Sequence, residues 1–205
     1  MTQTINRSEI DAMPSRYRAQ FINSLSGFKS ANLIGTADAE GATNLAMLSS
    51  VVHLGANPPL FAHVTRPTTV ARHSLDNLQA TGVYTYNHVS PRMLPAAHQA
   101  AAKYPRDVSE FDAVGLTAGY VEAFAAPYVA ESELSIGMRL VEVLPIKHNG
   151  TLFVIGEIAW VRCPQKVIET DGYVDIAELD AVAISGLDSY HPVLSGTRYG
   201  YPEPD

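Results

Sequence analysis

Apolar residues recur along this chain in two periods, and the spacing of those periods lays out its elements. Tyr17, Phe21 and Leu25 repeat every fourth residue, which predicts a helix over Pro14–Leu25, with the proline suited to the first turn and Gly27 as its stop. From there the pattern turns extended. Ala31–Thr36 and Thr43–His53 read as a hairpin about the Asp38–Gly41 turn, and a third strand, Leu60–Thr65, follows the Asn57-Pro58-Pro59 break. Leu75 and Leu78, three apart, predict a short helix from an N-cap at Ser74 to a stop at Gly82. Val83–Val89 is a strand, Pro91–Tyr104 an alanine-rich helix, and Ser109–Gly115 a single helical turn. After the irregular extended stretch Leu116–Val129 comes the clearest hairpin, Glu133–Lys147 with Thr151–Arg162, joined at His148-Asn149-Gly150. Gly137 is expected to let the first of these strands turn a barrel corner. Beyond Pro164, Asp171-Gly172-Tyr173 reads as a turn, Ile176–Leu179 as a short helix, and Gly186–Asp205 as a polar tail that wraps the surface or a partner.

One stretch departs from both periods. Leu45–Leu48 is wholly apolar, and Ser49-Ser50 then sets one hydroxyl on each face of a strand. One hydroxyl must point inward and needs a partner, which makes the strand either ligand-lining or locally bent. The other candidate site is the approach to the second helix. Arg66 and Arg72 precede Ser74, and a helix start beside guanidinium groups favours an anion through free amides, dipole and charge together. The alternative is a pair of solvated loop charges.

The 205 residues suit one domain, 1–205, with a helical lead-in over 1–28 and a tail over 186–205. Strands interspersed with a few helices, with Gly and Pro at the corners, predict a mainly β antiparallel barrel of Greek-key kind with helical insertions. A net charge of −7 without a basic cluster argues against nucleic acid or an anionic membrane as partner. The single cysteine, Cys163, reads as a small apolar strand residue and fits a reducing compartment. No signal-like run opens the chain, and a cytoplasmic protein is expected. Dinucleotide, P-loop, zinc-protease and serine-hydrolase signatures fail together. The seven histidines fall on different predicted elements, so no metal site is expected. Ser189-Tyr190-His191 does not make a nucleophile and base, because neighbours on an extended chain face apart.

Taken in order, Asn44-Leu-Ala-Met-Leu-Ser49-Ser50, Asn57-Pro58-Pro59-Leu60, Arg72-His-Ser74-Leu-Asp-Asn77 and Thr81-Gly82-Val-Tyr-Thr-Tyr-Asn87 resemble the flavin reductase-like family, whose fold is the FMN-binding split barrel. Tyr104-Pro105 through Glu110-Phe111 to Gly115-Leu116, Ala126-Pro127-Tyr128, Gly156-Glu157 and Asp171-Gly172 keep the same order. The resemblance implies that the strand carrying Asn44, Met47, Leu48, Ser49, Ser50 and Val51 lines the isoalloxazine ring and ribityl chain of a bound FMN. It implies that Arg72, His73 and Ser74, with Arg66 nearby, hold the phosphate. Many relatives carry Lys-Asp-Thr at that triplet; charge and hydroxyl survive here while the middle residue differs. Asn87 matches a position near the flavin, and Lys103 and Tyr104 form part of the wall. The activity implied is an NAD(P)H:flavin oxidoreductase, passing hydride from NADH or NADPH to flavin with no side chain acting as acid or base. A non-catalytic FMN-binding electron carrier and an FMN oxidoreductase acting on another small organic substrate are the alternatives. A homodimer with the flavin at the interface, serving a flavin-dependent monooxygenase, is the implied assembly.

Overall fold

The computed structural model describes residues 1–204, so the last residue of the expected tail, Asp205, lies outside the described residues. Two helices lead in, α1 over Arg7–Ala12 and α2 over Ser15–Leu25. Asn6 and Glu9 form a reciprocal capping box at the first. Then come β1 (Lys29–Ser30), β2 (Asn32–Ala37), β3 (Thr43–Leu48), β4 (Val52–Ala56) and β5 (Pro59–Thr65). Helix α3 (His73–Thr81) leads into β6 (Val83–His88), and a 3-10 turn opens α4 (Leu94–Gln99). After α5 (Glu110–Val114) and the short strands β7 (Ala118–Gly119) and β8 (Tyr128–Val129), the long hairpin is β9 (Ser135–Ile146) and β10 (Thr151–Arg162). The chain ends on β11 (Val182–Ser185) and β12 (Ser189–Pro192).

Seven of these strands form one antiparallel sheet in the order β3-β2-β6-β9-β10-β5-β4. Its two outermost strands are consecutive in sequence, so the chain at Ser49-Ser50-Val51 steps from one edge of the sheet to the other. The single strand expected over Thr43–His53 is therefore two, divided at the serine pair. Ser50 holds the step in place: its hydroxyl donates to the Val64 carbonyl and accepts from the Val64 N–H, each at 3.1 Å. With Val52 opposite Ala62 in the β4/β5 ladder, Val64 is where a backbone partner would stand two residues on, and the hydroxyl supplies it instead.

Both faces of the sheet are covered at β2, which is why that strand is buried at every position and does not alternate. On the barrel side Ile34, Tyr84, Tyr86, Met138 and Val154 pack with Leu75 and Leu78 of α3. On the other, Leu33 and Leu45 pack under Met93, Ala97 and Phe111 of the α4–α5 region and under Val182 and Ile184. Those last two belong to a second sheet, β1-β11-β12, that the sequence reading missed. It places residues 189–192 in a strand where a polar tail was expected.

Other expectations shift less. The alanine-rich helix ends at Gln99 and not at Tyr104, and Ile176–Leu179 forms turns in place of a helix. Gly82 does stop α3, with a left-handed φ of +72° and its N–H donating to Leu78. Near Gly137 the β9/β10 ladder slips register, between Ile158 and Trp160. The glycine serves a further purpose, since the Trp160 indole lies where a Cβ would stand. Among the described residues, no helix is long and apolar enough to cross a membrane.

Candidate functional site

The start of α3 is brought against β3 by paired polar side chains. Asn44, nearly buried, donates from Nδ2 to Ser74 Oγ at 2.9 Å. Asn77, one turn on and also buried, donates to Thr36 Oγ1 of β2 at 3.2 Å. Ser74 is thus not the N-cap. Arg72 holds that position, with φ −130° and ψ 76°, and no side chain caps the helix. Ser74 is instead the second residue of the helix, and the first-turn amides keep their bonding capacity for something else.

Around this start the cations are lightly held. The Arg72 Nε donates to the Pro67 carbonyl at 3.3 Å, while Arg66 is exposed. A third, Arg106, arrives from the α4–α5 loop: Nη2 reaches Asn77 Oδ1 at 3.5 Å and Nη1 stands 3.6 Å from Asp76. His73 and Arg106 line a shallow niche with Asp38, Thr43, Asn44 and Asn77. A wider surface depression lies elsewhere, along Tyr120–Ala125, where it opens to solvent with Glu122 as its one carboxylate. The polar convergence at α3, not that open hollow, is where chemistry collects.

The edge of β3 is closed by α5. Glu110, its first residue, is buried, and its Oε2 accepts the Leu45 N–H at 2.9 Å. One residue back, Ser109 Oγ and Thr43 Oγ1 are 2.7 Å apart. Burial pushes the Glu110 carboxyl upward, opposed by the N–H bonds of Leu45 and of Glu110 itself and by the charge of His73. Sequence reasoning had not singled Glu110 out as a site residue. The signal available was an acidic residue opening a one-turn helix beside the apolar Phe111.

The remaining expected residues divide. Met47 packs on the α4–α5 side of the sheet, while Leu48 and Val51 pack on the barrel side. Ser49 is half-buried at the step, and Ser50 is engaged with Val64. Asn87 is fully buried and not gathered at α3: its Nδ2 donates to the Leu33 carbonyl and to Thr85 Oγ1, and its Oδ1 accepts the Val129 N–H. It ties β8 to the sheet. Because α4 ends early, Lys103 and Tyr104 lie in the α4–α5 loop; Lys103 is exposed, and the Tyr104 hydroxyl accepts from Gln99 Nε2 at 3.1 Å. Tyr190 and His191 are tied to His98 and Ser185, so that pair serves the second sheet and its neighbours.

The residues present fit a phosphate-bearing flavin. An uncapped helix start with arginines beside it suits the anionic end, and a strand joined to that helix through Asn44–Ser74 offers the adjoining surface for a ring.

The sequence profile of the flavin reductase like domain matches residues 25–177. An uncharacterised protein of Deinococcus radiodurans is 27% identical over 147 residues, which span 70% of this chain and 64% of that relative, a little under two thirds of its length. Among solved structures, a split-barrel protein from Shewanella frigidimarina NCIMB 400, provisionally termed a flavin reductase, is 49% identical over 98% of this chain and 100% of that one, with a TM-score of 0.94. Nitrilotriacetate monooxygenase component B from Bacillus cereus shares the fold at 18% identity, covering 97% of this chain and 99% of its own, with a TM-score of 0.83.

Proposed function

Because the chain belongs to the flavin reductase like domain family, we propose that it binds FMN and acts as an NAD(P)H:flavin oxidoreductase. The observation that carries the reading is the α3 start, where Arg72 stands at an uncapped N-terminus whose Ser74 is joined to Asn44 of β3. Phosphate at the helix start would leave the ring along β3 and the Ser49–Val51 step. Bound flavin would supply the hydride chemistry; the chain binds it, orients it and shields one side. A partner monooxygenase that consumes reduced flavin is part of this proposal, supported by the likeness to a monooxygenase component B.

The deciding experiment is anaerobic mixing of the FMN-loaded protein with NADH or NADPH. Bleaching of the flavin absorbance at a catalytic rate is expected. Bound FMN that neither nucleotide reduces would overturn the reductase reading and leave an electron carrier. Binding itself is tested by fluorescence quenching, where FMN should bind much more tightly than riboflavin. Arg72→Ala should weaken FMN by about 1.5 to 3 kcal/mol, the worth of a hydrogen bond to a charged group, and leave riboflavin unchanged. Unchanged FMN affinity would make Arg72 a solvated charge and direct attention to Arg66.

The same reading has two copies working together. Its support is the outer face of β4, β5, β9 and β10, where Val52, Val64, Leu144 and Ile146 are each 37–44% exposed around the half-buried Phe153 and Ile155. The register sets Val64, Phe153 and Leu144 in one row across three strands. Val64 is also the residue that Ser50 holds, so a second copy on this face would lie beside the Ser49–Val51 step. Light scattering should give twice the chain mass at micromolar concentration, and Leu144→Asp should halve it. A wild-type monomer that keeps full FMN affinity on dilution would exclude a shared site.

A further inference from the structure

We infer that α2 is a docking arm for a second copy of this chain, its exposed Tyr17, Ile22 and Leu25 seating on the partner's outer sheet face at the row of Val64, Phe153 and Leu144. The inference rests on the two-copy reading above and goes beyond it by naming what covers that face; its test separates the two.

The sequence period sets Tyr17, Phe21 and Leu25 on one face of α2, the kind of stripe by which a helix ordinarily joins a core. In the structure that stripe has little beneath it. None of the eleven residues of α2 is buried. Phe21 is half-buried, whereas Tyr17, Ile22 and Leu25, with Phe28 just past the helix, are 46–71% exposed. What α2 offers its own chain is polar: Gln20 Nε2 donates to Asp188 Oδ2 at 3.2 Å, and Gln20 and Ser24 lie beside Gly186. An isolated helix of this length is marginal in water, and helices in proteins draw most of their stability from burying an apolar face. One copy does not give α2 that burial, so a second surface has to supply it.

The outer face of β4, β5, β9 and β10 matches the arm in apolarity and complements it in charge. Val64, Phe153 and Leu144 form the apolar row there. Two exposed carboxylates stand on the same face, Glu142 opposite Ile155 and Glu157 two residues beyond that isoleucine on β10. The arm brings Arg16, exposed, and Arg18, half-buried. The same asymmetry runs through the whole chain: residues 1–30 hold four basic side chains against two acidic ones, a net of +2, while the full chain nets −7, which leaves −9 on the remainder. Opposite charges around an apolar contact steer helix toward sheet and disfavour helix on helix or sheet on sheet. Under two-fold symmetry each copy gives its arm and receives the other's, so the contact forms twice and the assembly closes.

The test reads mass and proximity in the full-length protein. Leu25→Asp should raise the monomer–dimer dissociation constant, followed by sedimentation, by about a hundredfold or more, because a two-fold dimer loses the contact twice. A Leu25→Asp dimer as strong as wild type, with Leu144→Asp monomeric, would overturn the inference and leave the two-copy reading standing. A monomeric wild type would overturn both. Placement is read with a short bismaleimide in a Cys163→Ser background, where chains carrying Leu25→Cys are mixed with chains carrying Leu144→Cys. A covalent dimer that requires both chains is expected. Cross-linking of the Leu25→Cys chain alone would set helix on helix, and of the Leu144→Cys chain alone sheet on sheet; either result overturns the inference. Sedimentation of the wild type with phosphatidylglycerol vesicles, abolished by Leu25→Asp, would overturn it too, since the arm would then belong to a membrane surface.

Discussion

Gly156→Ala should lower the unfolding midpoint by about 6–12 °C, the shift that a loss of about 3 kcal/mol gives a domain of this size. Gly156 lies on β10 with its Cα facing the barrel interior. A Cβ there would stand 2.2 Å from the Tyr84 hydroxyl and 3.1 Å from the Arg139 carbonyl. Tyr84 cannot swing away, because its ring is fully buried edge-on to both Tyr86 and His63, with centroids 5.3 Å and 5.8 Å apart. The clash is therefore met by backbone displacement in the middle of the β9/β10 ladder. The same geometry supplies its own control. The Tyr84 hydroxyl is buried without a well-formed hydrogen bond, so Tyr84→Phe should cost little alone. Combined with Gly156→Ala, it removes the nearest clashing atom and should restore at least half of the lost stability. A double mutant no better than the sum of its singles, in urea unfolding followed by circular dichroism, would show that the strain lies elsewhere.

How much of this was legible beforehand follows from how local each signal is. The β9/β10 hairpin was readable because Asn149 and Gly150 carry their own instructions: the Asn149 side chain accepts from the Thr151 N–H, and Gly150 takes φ +74°. The α3 stop at Gly82 and the single turn ending at Gly115 were local in the same way. What failed was settled between distant segments. Ser74 looks like an N-cap until the helix opens ahead of it, with Arg72 at the cap, and its hydroxyl accepts from Asn44, thirty residues away. Ser49-Ser50 reads as the middle of one strand until Val64 gives Ser50 a partner and the chain crosses the split. The second sheet was invisible because β1 has two residues and pairs with β11 across most of the chain, and β12 carries Ser189 and His191. At the site, the order of motifs pointed to β3 and to the α3 start. It did not reveal that Glu110 closes the strand edge, or that Asn87 spends its amide on the core.

Acid should unfold this protein well before its surface carboxylates would account for it. His63 is 1% exposed inside the barrel, its Nδ1 2.6 Å from the Tyr86 hydroxyl, and burial pushes its pKa down to about 4. Tyr84 and Tyr86 are the titratable groups that share its surroundings, and burial drives both phenols upward, Tyr84 to about 12, so neither supplies a negative charge. An imidazolium formed there would carry a second N–H into an apolar interior with no counter-ion. Since the folded value lies below the ordinary one near 6.5, the unfolded chain binds the extra proton first. The stability that His63 contributes is complete above pH 6.5 and drains away as the pH falls toward 4, by about 3 kcal/mol in all. His88, half-buried and also pushed down to about 4 by burial, adds to the same window. Urea unfolding at a series of pH values should show stability falling from pH 6.5 to pH 4. His63→Gln, which can still bond Tyr86, should flatten that slope while lowering stability at pH 7. Were the slope the same in the variant, His63 would be charged or solvated in the folded barrel, and the acid response would belong to other groups. The consequence reaches the site through sequence neighbours: His63 adjoins Val64, whose N–H and carbonyl hold Ser50 at the step between β3 and β4. Flavin bound along that step should be released in the same pH window as the barrel loosens, and in His63→Gln its release should shift to lower pH along with the unfolding.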